Sequence, residues 1–409
     1  MIHQPPAGAR DLLPLEVVQK AWINDTLQQV FGQWGYQRIV TSTIERLDTL
    51  KAGGAIEDDT VIQLYNNRSG QLGLRPELTA SVARAAVTRM AETSYPQRLC
   101  YRANVFRNPP SGHHGRQLEF YQAGVELLFS GGTLADAEIL LLVADCLQKL
   151  QIPNWYLILG DAGLTRSLLS PFPEDLRQEV RHCLATLDYV KLENLAYPNK
   201  DLKHRAILLF NLRGKPEDVL SKVLDLTLDE TGQHCLNNLK SLIELINNSA
   251  SYSLPLTLDL SLIQTFDYYT GIIFKAIGQT NNQLQNLGQG GRYDQLLGVY
   301  HPQKKSAPGI GFSLNVGALH RCLLSTDVLP KTSPLIDYLV VAKSSSDHIE
   351  ALKYAKELRE QNNSLRVRLD LGGRNPEEIK EYAQQDGIKK IVWIEKGQEP
   401  IINMISEKL

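Results

Sequence analysis

The stretch 97–128 constrains the fold most. Two runs of β-forming residues flank Asn108-Pro109-Pro110-Ser111-Gly112-His113-His114-Gly115, a segment too rich in Pro and Gly for either regular element. Runs joined in this way predict a long antiparallel hairpin. In the second run a period of two places Leu118, Phe120, Gln122, Gly124 and Glu126 on one face. Its polar positions flank a residue with no side chain, a gap that can admit a small ligand.

A hairpin of this length needs a wider sheet to join, and strand character recurs at 38–44, 256–263 and 272–277. Ahead of the first of these, Ile23, Leu27, Val30, Phe31 and Trp34 fall at i, i+4, i+7, i+8 and i+11, one face of a helix that Gly35-Tyr36 ends. Gly288-Gln289-Gly290-Gly291 predicts a turn, and Gly309-Ile310-Gly311-Phe312 leads into a last helix. Between 170 and 250 strand signals thin out and Leu236, Leu239, Leu242, Ile243 and Ile246 keep helical spacing, which predicts a mostly helical insertion.

Residues 329–334 are a linker by composition, so 1–328 forms one domain. In 335–409 strands at 338–342, 367–371 and 391–395 alternate with helices at 347–361 and 376–385, implying a small three-layer α/β domain with parallel strands. The fold class expected for the whole chain is α+β.

With 43 basic and 45 acidic residues there is no charge excess of the kind that marks a general nucleic-acid or membrane-surface binder. The five cysteines are scattered, odd in number and without a C-x-x-C pair, which argues against a disulfide framework or a zinc site. With no signal-like N-terminus and no apolar run near membrane length, a soluble, cytoplasmic protein is expected.

Several short motifs resemble the class II histidyl-tRNA synthetase family over nearly the whole chain. Gly8-Ala9-Arg10-Asp11 with Leu13-Pro14 resembles that family's opening, Leu74-Arg75-Pro76-Glu77-Leu78-Thr79 its amino-group clamp, and Phe106-Arg107 its second class motif. Gln122-Ala123-Gly124-Val125-Glu126, Phe266-Asp267-Tyr268-Tyr269-Thr270 and Gly291-Arg292-Tyr293-Asp294 resemble its histidine-recognition segments. The resemblance implies a class II antiparallel sheet flanked by helices, with 335–409 a shortened anticodon-binding domain. It further implies that Glu77, Thr79 and Gln122 hold an α-amino group and that Arg107 faces a carboxylate. Glu126 and Tyr269 would grip an imidazole, and Tyr268 and Tyr293 would close the walls. That inventory suits free histidine, which presents an ammonium, a carboxylate and a mostly neutral ring. Taken singly, each of these residues reads as well as a solvated strand residue or a surface pair.

The departures fall where the family handles ATP. Gln264 stands where the synthetases carry an arginine, Gly317-Ala318 replaces the Glu-Arg pair of the third class motif, and Pro109 follows Arg107 where a glutamate meets adenine. Ser42 replaces the proline of the first class motif. Fixed positive charge at the reacting phosphate is usually the largest catalytic term, so its loss argues against amino-acid activation. A histidine pocket without activation chemistry resembles a non-catalytic offshoot of the family, the regulatory subunits of ATP phosphoribosyltransferase. That resemblance implies no cofactor and no metal, a short-form catalytic subunit as partner, L-histidine as effector, and a homodimer within a larger hetero-oligomer. The alternatives are a divergent synthetase, in which Arg102 or Arg116 has taken over the missing roles, and a tRNA-binding paralogue.

Overall fold

The structure is a computed structural model that describes residues 3–54, 59–65, 70–109, 117–249, 253–262, 268–280 and 283–405. The chain divides into two compact units, Met1–Leu329 and Pro330–Leu409.

The first unit is built on a nine-stranded sheet. Its strands in chain order are β1 (Gln37–Arg38), β2 (Gln97–Phe106), β3 (Glu119–Leu128), β4 (Tyr156–Asp161), β5 (Arg213–Gly214), β6 (Leu256–Asp259), β7 (Ile272–Thr280), β8 (Gln283–Arg292) and β9 (Gly309–Asn315). Their spatial order is β1-β2-β3-β9-β8-β7-β4-β6-β5. The hairpin forms as the sequence predicts, β2 and β3 pairing antiparallel from Gln97↔Leu128 to Phe106↔Glu119. Of the Pro/Gly-rich connection, 110–116 lie outside the described residues.

Alternation along β3 divides the core. Ala123, Val125 and Leu127 join the larger cluster with Ile23, Leu27, Val30 and Phe31 of the helix Pro14–Gln33. Leu128 joins a second cluster with Leu78, Val82 and Tyr101. Between 170 and 250 the chain forms the helices Glu174–Thr186, Tyr189–Glu193, Lys200–Phe210, Pro216–Val223 and Glu230–Ser249, and the periodic residues Leu236, Leu239, Leu242, Ile243 and Ile246 are all buried.

Three expectations need correction. Gly288-Gln289-Gly290-Gly291 is no turn but the interior of β8, paired with β7 and β9 on its two sides. A Cβ at Gly288 would lie 2.3 Å from the Ser313 carbonyl oxygen, and one at Gly290 2.3 Å from that of Gly311. Close approach of neighbouring strands therefore demands glycine there. Gly309-Ile310-Gly311-Phe312, by contrast, leads into the last helix of this unit as the sequence predicts: it lies in β9, and the helix Val316–Leu323 follows directly.

The run 38–44 is no single strand: β1 ends at Arg38, and Ile44–Arg46 belongs to a separate small sheet with Leu72–Leu74 and Gln63–Leu64. Arg75 accounts for the break. Its guanidinium takes the carbonyls of Thr41 (2.9 Å) and Ser42 (3.1 Å), which a continuing strand would have given to a neighbour.

Finally, the gap at Gly124 is filled from within. Tyr101, opposite it on β2, puts its hydroxyl oxygen 2.7 Å from where a Cβ would sit.

The second unit carries a four-stranded sheet, β10 (Tyr338–Ala342), β11 (Val367–Leu369), β12 (Lys390–Ile394) and β13 (Ile401–Met404), in the order β11-β10-β12-β13. The first three are parallel, with a buried cluster on each face: Ala351, Ala355 and Leu358 of the helix His348–Gln361 on one, Ile379 and Ala383 of the helix Pro376–Gln385 on the other. The expectation of parallel strands omits β13, which pairs antiparallel to β12 and is exposed along its whole length. With every residue of β13 exposed, no alternation of apolar and polar positions marks it as a strand.

Candidate functional site

The second cluster ends in a narrow cleft of about 370 Å³, open solvent at its mouth included. Seven of the residues singled out in the sequence line it: Glu77, Thr79, Arg107, Gln122, Tyr268, Tyr269 and Tyr293. They come from five separate segments, assembled by the register of β2, β3 and β8 and by the start of the helix Thr79–Thr88.

The eighth, Glu126, does not line the cleft. It lies beneath it, 1 % exposed, under three hydroxyls. Its Oε1 accepts from Thr79 Oγ1 (2.8 Å) and Tyr101 Oη (3.2 Å), and its Oε2 accepts from the Tyr293 hydroxyl. Burial pushes this carboxyl up to about 8 and nearby Glu77 adds to the rise, while the Tyr293, Thr79 and Tyr101 hydroxyls oppose it. Space for the carboxyl exists because residue 311 is glycine: a Cβ there would lie 2.0 Å from Glu126 Oε2.

Glu77 is 6 % exposed. Its Oε1 accepts the Ala80 N–H (2.9 Å), satisfying one of the amides that every helix start leaves open. Its Oε2 is buried and has no hydrogen-bond partner among the described residues. Such an orphan acceptor costs about 1–3 kcal/mol unless something donates to it. Burial raises the Glu77 carboxyl, with hydrogen bonds from Ala80 and Thr79 and the charge of Arg107 opposing. Arg107 is anchored by its Nε on the Pro76 carbonyl (2.7 Å); burial lowers its pKa and the Glu77 charge opposes that. The cleft thus offers an unfilled carboxyl acceptor on Glu77, the Arg107 guanidinium, and hydroxyls backed by the second carboxyl of Glu126.

The tyrosines form a continuous wall. The Tyr268 ring centroid is 4.7 Å from that of Tyr269 and 5.9 Å from that of Tyr293, the latter pair edge to face. Neighbouring Arg292 turns away from the cleft. It donates from Nη2 to Asp136 Oδ1 (2.5 Å) and to the Gly132 carbonyl (3.2 Å), and from Nη1 to Asp294 Oδ1 (3.2 Å).

Sequence reasoning missed Tyr101, Gln289 and Ser313, which also line the cleft. For Tyr101 the signal was present: once the hairpin register is drawn, it is the residue opposite Gly124. Gln289 was hidden inside the glycine run read as a turn.

Of the positions where ATP-handling groups were expected, Gln264 lies outside the described residues, as do Asp267 and Arg116. Ala318 is 1 % exposed, near the start of the helix Val316–Leu323, where Asn315 accepts its N–H (3.0 Å). Pro109 is half-buried beyond the end of β2. Arg102, offered as a substitute cation, donates instead to Asp25 (2.9 Å) on the helix Pro14–Gln33, on the sheet face opposite Tyr101. Among the described residues no group of His, Cys, Asp and Glu is arranged to hold a metal ion, and no helix is long and apolar enough to cross a membrane.

Comparison with known proteins agrees with this geometry. The family model described as histidyl-tRNA synthetase matches residues 8–319. The chain is 88% identical to the ATP phosphoribosyltransferase regulatory subunit of Crocosphaera subtropica, over 98% of this chain and 100% of that protein. It is 69% identical to the regulatory subunit of Rippkaea orientalis, over 99% and 100%. Among solved structures, an ATP phosphoribosyltransferase regulatory subunit/histidyl-tRNA synthetase from Bacillus halodurans matches with a TM-score of 0.80 at 27% identity, covering 96% of this chain and 98% of that one. The histidyl-tRNA synthetase of Nostoc, at 19% identity and a TM-score of 0.77 over 98% and 97%, shares the fold. Carried by a class II sheet with this cleft on one face, the chain belongs to the ATP phosphoribosyltransferase regulatory subunits, a family of histidyl-tRNA synthetase-like proteins.

Proposed function

We propose that this chain binds free histidine in the cleft without activating it, and that it is the non-catalytic regulatory subunit required by a short-form ATP phosphoribosyltransferase in the cytoplasm. The observation that carries the reading is the buried, unpartnered Glu77 Oε2 in a cleft shared with Arg107. An α-ammonium satisfies the first and an α-carboxylate the second. Thr79 and Gln122 assist at the amino group, Tyr269 and Glu126 serve the ring, and Tyr268 and Tyr293 enclose it. For Glu126 this means a ring N–H taking the place of one of its three hydroxyl donors.

A ligand regulates only if its affinity differs between active and inhibited assemblies, so feedback requires histidine to favour one of them. The C-terminal unit enters this reading as a shortened counterpart of an anticodon-binding domain. The synthetase alternative gains nothing from Arg102, which is engaged elsewhere.

Two measurements test the proposal. Histidine added to the purified chain is expected to give a calorimetric binding isotherm, and Glu77→Gln to weaken it by about 10- to 100-fold, the worth of a hydrogen bond to a charged group. An unchanged affinity in that variant would place the amino group elsewhere. Phosphoribosyl transfer by the short catalytic subunit of the same organism is expected to appear only on mixing with this chain and to fall as histidine is added. Activity indifferent to the chain would end the regulatory reading and direct attention to histidine-dependent pyrophosphate exchange.

A further inference from the structure

The two edges of the C-terminal sheet are treated differently. At the β11 edge, Arg359 Nη2 donates to the Val367 carbonyl (2.9 Å), and Arg368 is bound to Tyr382 and Asp386. Charge and side-chain cover of this kind keep an edge strand from pairing with another chain. Among the described residues the β13 edge has neither. Its sequence, Ile401-Ile402-Asn403-Met404, carries no charge, and Ile401, Ile402 and Met404 are 48%, 49% and 71% exposed. Among the described residues no strand covers its outer side.

We infer that β13 is a self-pairing edge, and that its occupant is β13 of a second copy of this chain, antiparallel about a two-fold axis through Asn403. The hydrogen-bond phase selects this register. The Ile405 N–H bonds inward to the Lys389 carbonyl (2.9 Å), and in an antiparallel ladder alternate residues share a direction. Asn403 and Ile401 therefore also bond towards β12, and Ile402 and Met404 turn their N–H and C=O groups outward.

Centred on Asn403, Ile402 of one copy stands opposite Met404 of the other, and each such pair exchanges two hydrogen bonds. All four outward N–H and C=O pairs are used. The side chains agree with the same register: Ile402 meets Met404, Ile401 meets Ile405, and Asn403 meets its own copy, with every apolar residue facing an apolar one. Centring on Ile402 instead would bring Met404 opposite Pro400, which has no N–H to give. The isologous arrangement, one patch complementary to itself, is the commonest form of subunit contact. Five residues per copy bury far less than the roughly 1,200 Å² of stable interfaces, so the pairing acts between chains already held close or at high concentration.

The test uses the full chain carrying Asn403→Cys. At the two-fold axis the two residues 403 form a non-hydrogen-bonded pair with Cα atoms about 4.5 Å apart, within the range a disulfide spans. Mild oxidation is expected to give a covalent dimer on a non-reducing gel. The unsubstituted chain, four of whose cysteines are buried and the fifth half-buried, is expected to give none. Adding Ile402→Pro removes an outward N–H and leaves the inward ladder intact, and is expected to cut the dimer yield at least tenfold. Absence of the cross-link in a chain whose melting curve matches the unsubstituted protein overturns the proposal. So does a cross-link that Ile402→Pro leaves unchanged, since random collision would then explain it.

Discussion

Glu126→Gln is expected to stabilise this protein at neutral and alkaline pH while weakening its response to histidine. Burial holds the Glu126 carboxyl at about 8 against an ordinary 4.5, so the folded state favours the protonated form. The stability this confers is fully present below pH 4.5 and is lost as pH rises through about 8, at about 1.4 kcal/mol per pH unit. Glutamine keeps a carbonyl acceptor, has amide N–H donors in place of the acid's O–H, and does not ionise. Unfolding followed by denaturant at about pH 5 and about pH 8.5 should show the two proteins alike at the lower value and the variant more stable at the higher. Parallel pH profiles would mean that Glu126 is not strained by its burial. The same variant should bind histidine about 10-fold more weakly, since glutamine leaves one carbonyl oxygen where the carboxyl offered two oxygens to the ring. Stability gained where binding is lost is the usual relation at a site that buries a titratable group for a ligand.

Arg292→Met is expected to have the largest effect on stability alone. Arg292 and Asp136 are both largely buried, 2.5 Å apart, and burial holds the Asp136 carboxyl at about 6 even though Arg292 pulls it down. Truncating one partner leaves the other charge uncompensated, at a cost of about 3–5 kcal/mol. Without the guanidinium the carboxyl favours its protonated form still more, so the loss should grow as pH rises from the ordinary aspartate value of 3.8. Replacing both residues, Arg292→Met with Asp136→Leu, should recover most of it, because two apolar groups of similar volume need no solvation. Denaturant melts of the two variants decide the matter. A double variant as unstable as the single one would show that the residues act through separate contacts, Arg292 chiefly through Gly132 and Asp294.

Where a segment buries one face, its sequence announced its structure. The helix Pro14–Gln33 shows its apolar stripe plainly, and the hairpin shows its period of two because β3 separates two clusters. The same period assigned Gln122 and Glu126 to a common face, and the resemblance of the motifs singled out seven residues that share one cleft. The failures have physical causes. Glycine is disfavoured in strands, so a strand whose neighbours approach too closely for any side chain, as at 288–291, reads as a turn. The break after Arg38 depends on Arg75, distant in sequence, competing for carbonyls that local propensity would assign to a strand. The depth of Glu126 could not be read because it depends on Tyr101, Thr79 and Tyr293 converging from three other segments.

The assembly of the cleft from distant segments bears on protein turnover. β3 pairs with β9, bringing Glu126 beside Gly311 across a long stretch of chain that includes the helical insertion. No fragment that stops short of β9 can present the cleft, because its walls exist only after these long-range pairings have closed. Any ligand of the cleft consequently binds the folded state alone and deepens it by mass action, raising the free energy that a protease must wait for. The abundance of such a ligand in the cell would then set how long each copy of the chain survives, independently of any effect on a catalytic partner.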